Sequence, residues 1–352
     1  MTTPPTGTSA AENLPAGTSP GYAWPAGAAT GIGSLPGDDP TESARLVFDE
    51  LPDLVFLPEL PARGPGADLI GRTAGLLVDL PVQLEPSGWR LAGRPGMDLR
   101  RARDLLARDL DAVEQVGEGF VGTLKVQVAG PITLAASIEL PNGHSAVSDP
   151  GATRDLAESI REGTRLHLRD LATRLPGATI VLQLDEPSLP AALGARIPTP
   201  SGYGTVRAVP AQVAQDHLSD VLSVAAPGAR IVHCCAADVP VALLRAAGAD
   251  AVALDHTLID VPTLDALGEA IDGGVALWLG IIPTAAENPS AAKAAAAVIA
   301  LWTKLGFAPE DLATKIVVTP ACGLAGSTPP AARRILHALR ETGARLLDFS
   351  QS

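Results

Sequence analysis

Three cysteines in 352 residues are too few, and odd in number, to form a secreted disulfide framework. The chain therefore reads as a protein of a reducing compartment, expected to be the cytoplasm. Aromatic residues make up only 3% of it, which removes the stacking platforms that single-stranded nucleic acids use. The formal charge is −13 and the basic residues, nearly all Arg, are scattered rather than gathered into a stripe. Phosphate backbones need a positive face, so nucleic acid is excluded as a partner. No apolar run approaches membrane-spanning length, and the Ala-rich stretch AAKAAAAVIALW reads as a buried helix. The opening residues have neither the basic region nor the apolar region of a signal peptide. Residues 1–28, rich in Pro, Gly, Ala and Thr, are expected to form a flexible tail ahead of a single domain over 29–352.

What is present is an alternation of short β-branched runs with amphipathic stretches. The runs are AATGIGSLPG, DLVFLPEL, GTLKVQVAGP, ATIVLQLDEP, ARIVHCC, ADAVALDH, VALWLGII and KIVVTPA. Between them lie helical patterns, including 39–50, 67–78, 97–115 with Leu99, Ala102, Leu105, Leu106, Leu110 and Val113 as its apolar stripe, 150–174, 210–224, 239–247, 263–271, 289–305 and 329–342. The segment PVQLEPSGWRL reads as a hairpin turning at Pro86, Ser87 and Gly88, inserted after the second βα unit. Eight strand candidates alternating with helices predict an α/β fold of the (βα)8 TIM-barrel type. A doubly wound dinucleotide-binding sheet is the competitor, but the first run breaks into Ser34, Leu35 and Pro36 after Gly31 and Gly33, so it lacks the glycine fingerprint.

Active sites of such barrels lie at the C-terminal ends of the strands. Ser34, Asp185, His233, Cys235, Asp255 and Cys322 all fall at such ends or just beyond. In an extended strand, residues two apart share a face, so His233 and Cys235 point one way and Cys234 the other. By the same alternation Asp185 shares a face with Gln183, and Asp255 with Ala251 and Ala253, while His256 turns toward the helices. If the strands of His233 and Cys322 are neighbours, an imidazole and two thiols converge with one position left open, the pattern of a working zinc rather than a structural one. Buried cysteines beside a core histidine are the alternative reading.

The assembled pieces resemble the catalytic, C-terminal barrel of cobalamin-independent methionine synthase, within the superfamily shared with uroporphyrinogen decarboxylase. The resemblance rests on IGSLP at 32–36, AGPIT at 129–133, QLDEP at 183–187, VHCC at 232–235 and PACGL at 320–324. It implies a zinc held by His233, Cys235 and Cys322 with a carboxylate at Asp255, where the family has Glu. It also implies homocysteine contacts at Ile32, Ser34 and Asp185, and at a glutamate matched to Glu85, with Glu59 in LPEL as the other candidate. The implied reaction is methyl transfer to the thiol of homocysteine through a zinc-bound thiolate, giving methionine. The donor would be a methylated folate, methyltetrahydrofolate, or a methylated corrinoid protein. Two donor-side features of the family are missing: its tryptophan falls near Ser137, and its Asp-Ile-His segment is replaced by GIIPTAAEN. The chain would be a single-barrel, core-type member. Competing readings are a related methyltransferase for another small thiol, a metal-free decarboxylase, and a zinc-stabilised protein without activity.

Overall fold

The computed structural model describes residues 21–352, so the part of the expected tail over 1–20 lies outside the described residues. Seven parallel strands form one sheet in the order β1-β4-β5-β6-β7-β8-β9. These are β1 (Leu54–Phe56), β4 (Gly122–Ala129), β5 (Ala178–Asp185), β6 (Arg230–His233), β7 (Ala251–Asp255), β8 (Ala276–Ile282) and β9 (Ile316–Pro320). A separate antiparallel pair, β2 (Val82–Glu85) with β3 (Gly88–Leu91), is joined through Pro86 and Ser87, with Gly88 already in the second strand.

The sheet is curled, and the first expected strand does not form a ladder within it. The segment over 28–35 instead makes isolated parallel bridges, Ala29 to Val318 of β9 and Ser34 to Glu59 just after β1. Thr30 N–H donates to the Val318 carbonyl at 3.1 Å, and Glu59 N–H donates to the Gly33 carbonyl at 3.0 Å. This segment therefore touches both edge strands of the sheet with only a few hydrogen bonds. Sequence patterning sees an extended run there but not how few of its bonds belong to a ladder.

Alternation along the strands sorts the side chains as expected. Leu182, Leu184, Val232, Cys234, Val252 and Leu254 pack outward into the core shared with the helices. Val181, Ile231, Ala251, Ala253, Trp278 and Val317 pack inward into a second, smaller core. Within the stretch expected to be tail, Trp24 is fully buried in that inner core, with Tyr22 and Ala28. Burial of these apolar residues outweighs the flexibility that the local Pro and Gly content suggests.

The helices begin where their caps dictate. Asp39 Oδ1 accepts the Thr41 and Glu42 N–H groups at 2.8 and 3.0 Å ahead of Pro40–Glu50, satisfying orphan donors of the first turn. Met97–Val116 buries the whole expected stripe from Leu99 to Val113. Such caps and stripes fix where each chain segment returns to the sheet, and so place the strand ends on a common rim.

Candidate active site

At that rim a cavity of about 310 Å³ is lined by Ile32, Gly33, Ser34, Glu59, Pro61, Leu69, Asp185, Pro187, His233, Cys235, Cys322 and Gly323. Ile32, Ser34, Asp185, His233, Cys235 and Cys322 thus line one cavity, although β6 and the β9 strand that leads to Cys322 are not neighbours but have β7 and β8 between them. Asp255 and Glu85 are not among the lining residues. Asp255 Oδ1 caps a short turn, accepting from Thr257 N–H and Oγ1, each at 2.8 Å. The residue sits on the correct inward parity, but β7 ends there and the following 3-10 turn at His256–Leu258 claims its carboxylate. Glu85 lies on the exposed hairpin, where it accepts from Gln83 Nε2 at 2.6 Å. The glutamate that reaches the cavity is Glu59, 5% exposed and held by the backbone bridge to Gly33.

His233 Nδ1 lies 2.7 Å from Asp185 Oδ1, and its other nitrogen, Nε2, is buried with no hydrogen-bond partner. Asp185 Oδ1 also accepts from Gln183 Nε2 at 2.8 Å. A carboxylate only accepts, so Nδ1 carries the ring proton and the Nε2 lone pair is free for a ligand. Cys235 and Cys322 share a hydrogen bond that pushes the two thiols apart in acidity. The bond from Cys235 lowers the Cys322 thiol against the opposing effect of burial, with the Gly323 N–H assisting. The same bond, together with burial, drives Cys235 far up.

Around and below the cavity is a buried polar layer, of which Glu59 is a candidate from the sequence and Lys125 and Glu186 are not. Lys125 of β4 is 0% exposed, and Nζ donates to the Ile32 carbonyl at 2.7 Å, to Gln183 Oε1 at 2.9 Å and to Gln127 Oε1 at 3.1 Å. Burial lowers its pKa to about 7, while Asp185 and Glu59 pull it back up. Burial likewise raises Glu59 to about 7, with Arg72 opposing. Glu186 is the inverse of its neighbour Asp185: it turns away from the cavity and accepts Ile132 N–H, Thr133 N–H and Thr133 Oγ1 at 2.9, 2.8 and 2.7 Å. A Cβ on Gly130 would fall 2.2 Å from Glu186 Oε1, so the AGPIT turn needs glycine for this carboxylate to dock. The signal for Lys125 was available, since a lysine inside TLKVQV has no place on a helix-facing strand surface.

Two thiols and an imidazole nitrogen with a free lone pair suit a borderline or soft divalent cation such as zinc. Among the described residues no three His, Cys, Asp or Glu side chains are already drawn into a metal-holding cluster. The donor chemistry and the orphaned Nε2 nevertheless fit such an ion, with Asp185 in the supporting position that orients a ligating imidazole.

The curled parallel sheet, with helices between its strands and thiols and an imidazole at its C-terminal rim, is an α/β half-barrel. The chain belongs to the family of cobalamin-independent methionine synthase catalytic domains: the family model described as "Cobalamin-independent synthase, Catalytic domain" matches residues 27–345. Membership implies a methyltransferase. The chain is also similar in fold to a B12-independent methionine synthase from Shewanella sp. W3-18-1, solved with selenomethionine. That likeness has a TM-score of 0.61 at 12% identity and covers 91% of this chain and 98% of that one. A methylaspartate ammonia lyase from Clostridium tetanomorphum matches at a TM-score of 0.44 and 11% identity, over 92% of this chain and 59% of that one. No curated protein sequence matches. No helix among the described residues is long and apolar enough to cross a membrane.

Proposed function

We propose that this protein transfers a methyl group to the thiol of homocysteine, giving methionine, at a zinc site held by His233, Cys235 and Cys322. The observation that carries the reading is the meeting of these donors with Asp185 and Glu59 around one cavity. The chemistry zinc supplies when bound is acidification of the substrate thiol, which is mostly protonated when free at neutral pH. With Asp255 committed to its turn, three protein donors leave a position for the incoming sulfur.

The protein's residues orient the amino acid. Asp185 makes its hydrogen bonds through Oδ1, which leaves Oδ2 to accept from the substrate ammonium as a charge-assisted bond. Glu59, on the same wall, takes the role assigned from sequence to Glu85. Ser34 Oγ makes no hydrogen bond among the described residues and can donate to the substrate carboxylate. So held, the sulfur attacks the donor methyl in line. The carbon–sulfur bond forms as the methyl's bond to its carrier breaks, and the bonding pair stays with the carrier. A folate nitrogen takes up one proton in exchange for the one the thiol released, whereas a corrinoid keeps the pair on cobalt and the thiol proton passes to solvent. The carrier is a methylated folate or a corrinoid on a partner protein, in a cytoplasmic setting.

The test is zinc content by elemental analysis with zinc-edge X-ray absorption, with and without homocysteine, for wild type and Cys322→Ser. Support would be about one zinc per chain, a new sulfur neighbour on adding homocysteine, and weakened binding in the variant. Wild type that takes up no zinc after reconstitution would overturn the reading. Methionine formation from methyltetrahydrofolate against a methylated corrinoid then identifies the carrier.

A further inference from the structure

Lys125 stands beneath the acceptor cavity and outside its lining. Its three acceptors, the Ile32 carbonyl and the side-chain oxygens of Gln183 and Gln127, match the three N–H groups of an ammonium. A buried ammonium without such partners would be strongly disfavoured. The consequence falls on Gln183. With Oε1 turned to the lysine, its Nε2 must face the other way, where it donates to the Ile32 carbonyl at 2.9 Å and to Asp185 Oδ1 at 2.8 Å. Asp185 Oδ1 in turn takes the His233 Nδ1 proton at 2.7 Å. One line of hydrogen bonds therefore runs from Lys125 through Gln183 and Asp185 to the imidazole whose Nε2 is left open.

We infer that Lys125 is a positioning residue of the acceptor site. Its ammonium fixes which way the Gln183 amide points, and through that amide it sets the Asp185 carboxylate, the turn at Ile32 and the tautomer of His233. The lysine touches neither substrate nor metal. If its role were to fill space, a methionine of similar length would serve equally well. The catalytic meaning of this inference rests on the proposed function, whereas the hydrogen-bond line itself exists without any ligand.

The experiment is nitrogen NMR of the histidine-labelled, zinc-free full chain, with the His233 signal among the six histidines identified by its loss in His233→Gln. Wild type should show His233 as the Nδ1–H tautomer. Lys125→Met removes the donor that orients the amide. Gln183→Glu keeps an acceptor for Lys125 but removes the donor to Asp185. Both variants should show a mixture of tautomers, and after zinc loading a homocysteine KM raised by about tenfold with a smaller change in kcat, the signature of lost substrate positioning. If Lys125→Met does not fold, as judged by circular dichroism, Gln183→Glu decides the question. An unchanged His233 tautomer in the folded variants overturns the inference. Zinc-loaded wild type that fails to bind homocysteine would sink the proposed function instead, and the imidazole signal would still decide the role of Lys125.

Discussion

Glu59 and Glu85 each follow a short apolar run, and each stands beside a proline. Only tertiary closure separates them, because Glu59 is fixed by backbone pairing with Gly33 while Glu85 points from a solvated hairpin. A charge-assisted hydrogen bond contributes about 1.5–3 kcal/mol, so Glu59→Gln should raise the homocysteine KM about tenfold or more. Glu85→Gln should leave it unchanged, and steady-state kinetics of the pair checks both. Equal effects would return the role to the hairpin. Elsewhere, His167 is buried, and desolvation followed by the nearby Arg72 charge lowers its pKa to about 4. The unfolded chain binds this proton near pH 6.5, so between these values the unfolded state carries more protons and stability rises with pH. The His167 contribution is complete above about pH 6.5 and is lost as pH falls through 4, an effect of about 3 kcal/mol. The gap in urea midpoint between pH 7.5 and pH 4 should therefore shrink in His167→Leu, and an equal gap in both proteins would refute the assignment.

Among the elements, the strands were legible because two periodicities coincide in them. In β5 and β7 the inward and outward residues fall where alternation puts them, and Cys234 turns from the cavity for the same reason. The placing of His233, Cys235 and Cys322 on one cavity was legible too, since strand ends share one rim. Three things were not. The first expected strand is reduced to isolated bridges, Asp255 is taken by the turn that follows it, and Lys125 has partners on two other segments, at Ile32 and at Gln183 of β5, besides Gln127 on its own strand. The bridges and the Lys125 bonds to Ile32 and Gln183 join residues distant in sequence, which no local pattern encodes. The Asp255 turn, by contrast, is closed by Thr257 only two residues on and competes locally with the strand end. Helix contacts supply a sharper case. In the helix Pro150–Arg174, a Cβ at Gly163 would stand 2.1 Å from the Leu76 carbonyl oxygen, so these backbones meet without a side chain between them. In Leu69–Leu76, a Cβ at Gly75 meets nothing closer than 3.6 Å. Helix propensity alone favours alanine over glycine by about 1 kcal/mol at both sites. Gly75→Ala should follow it, while Gly163→Ala should instead destabilise by about 1–3 kcal/mol through overpacking. Urea denaturation of the two variants distinguishes them, and a stabilised Gly163→Ala would show that the contact yields.

Across the whole molecule, the polar rim and the apolar base of the curled sheet depend on one another. The rim and the layer beneath it gather Asp185, Glu59 and His233 above Lys125 and Gln183, all in buried positions, and such a layer is tolerated only where its hydrogen bonds are held in register. That register is set partly from below, by a segment whose composition reads as tail. Ala23 N–H donates to the Gly228 carbonyl at 2.9 Å, Gly27 N–H to Ala313 at 2.7 Å, and Tyr22 Oη to Gly274 at 2.8 Å. Between these anchors the Trp24 ring stacks on Tyr22 at 4.9 Å and meets Trp278 of β8 edge-on at 5.1 Å. The segment then continues directly into the bridges at Ala29 and Ser34 that touch both edge strands. Loss of the buried indole should therefore cost about 3–5 kcal/mol, and the damage should travel up the segment to Ser34 and the cavity. Trp24→Ala is expected to lower the urea midpoint and to speed hydrogen exchange at Thr30 and Glu59, whose N–H groups are held by those bridges. A loss below about 1 kcal/mol, with exchange at Thr30 and Glu59 unchanged, would mean that the segment only rests against the sheet and that the rim is held without it.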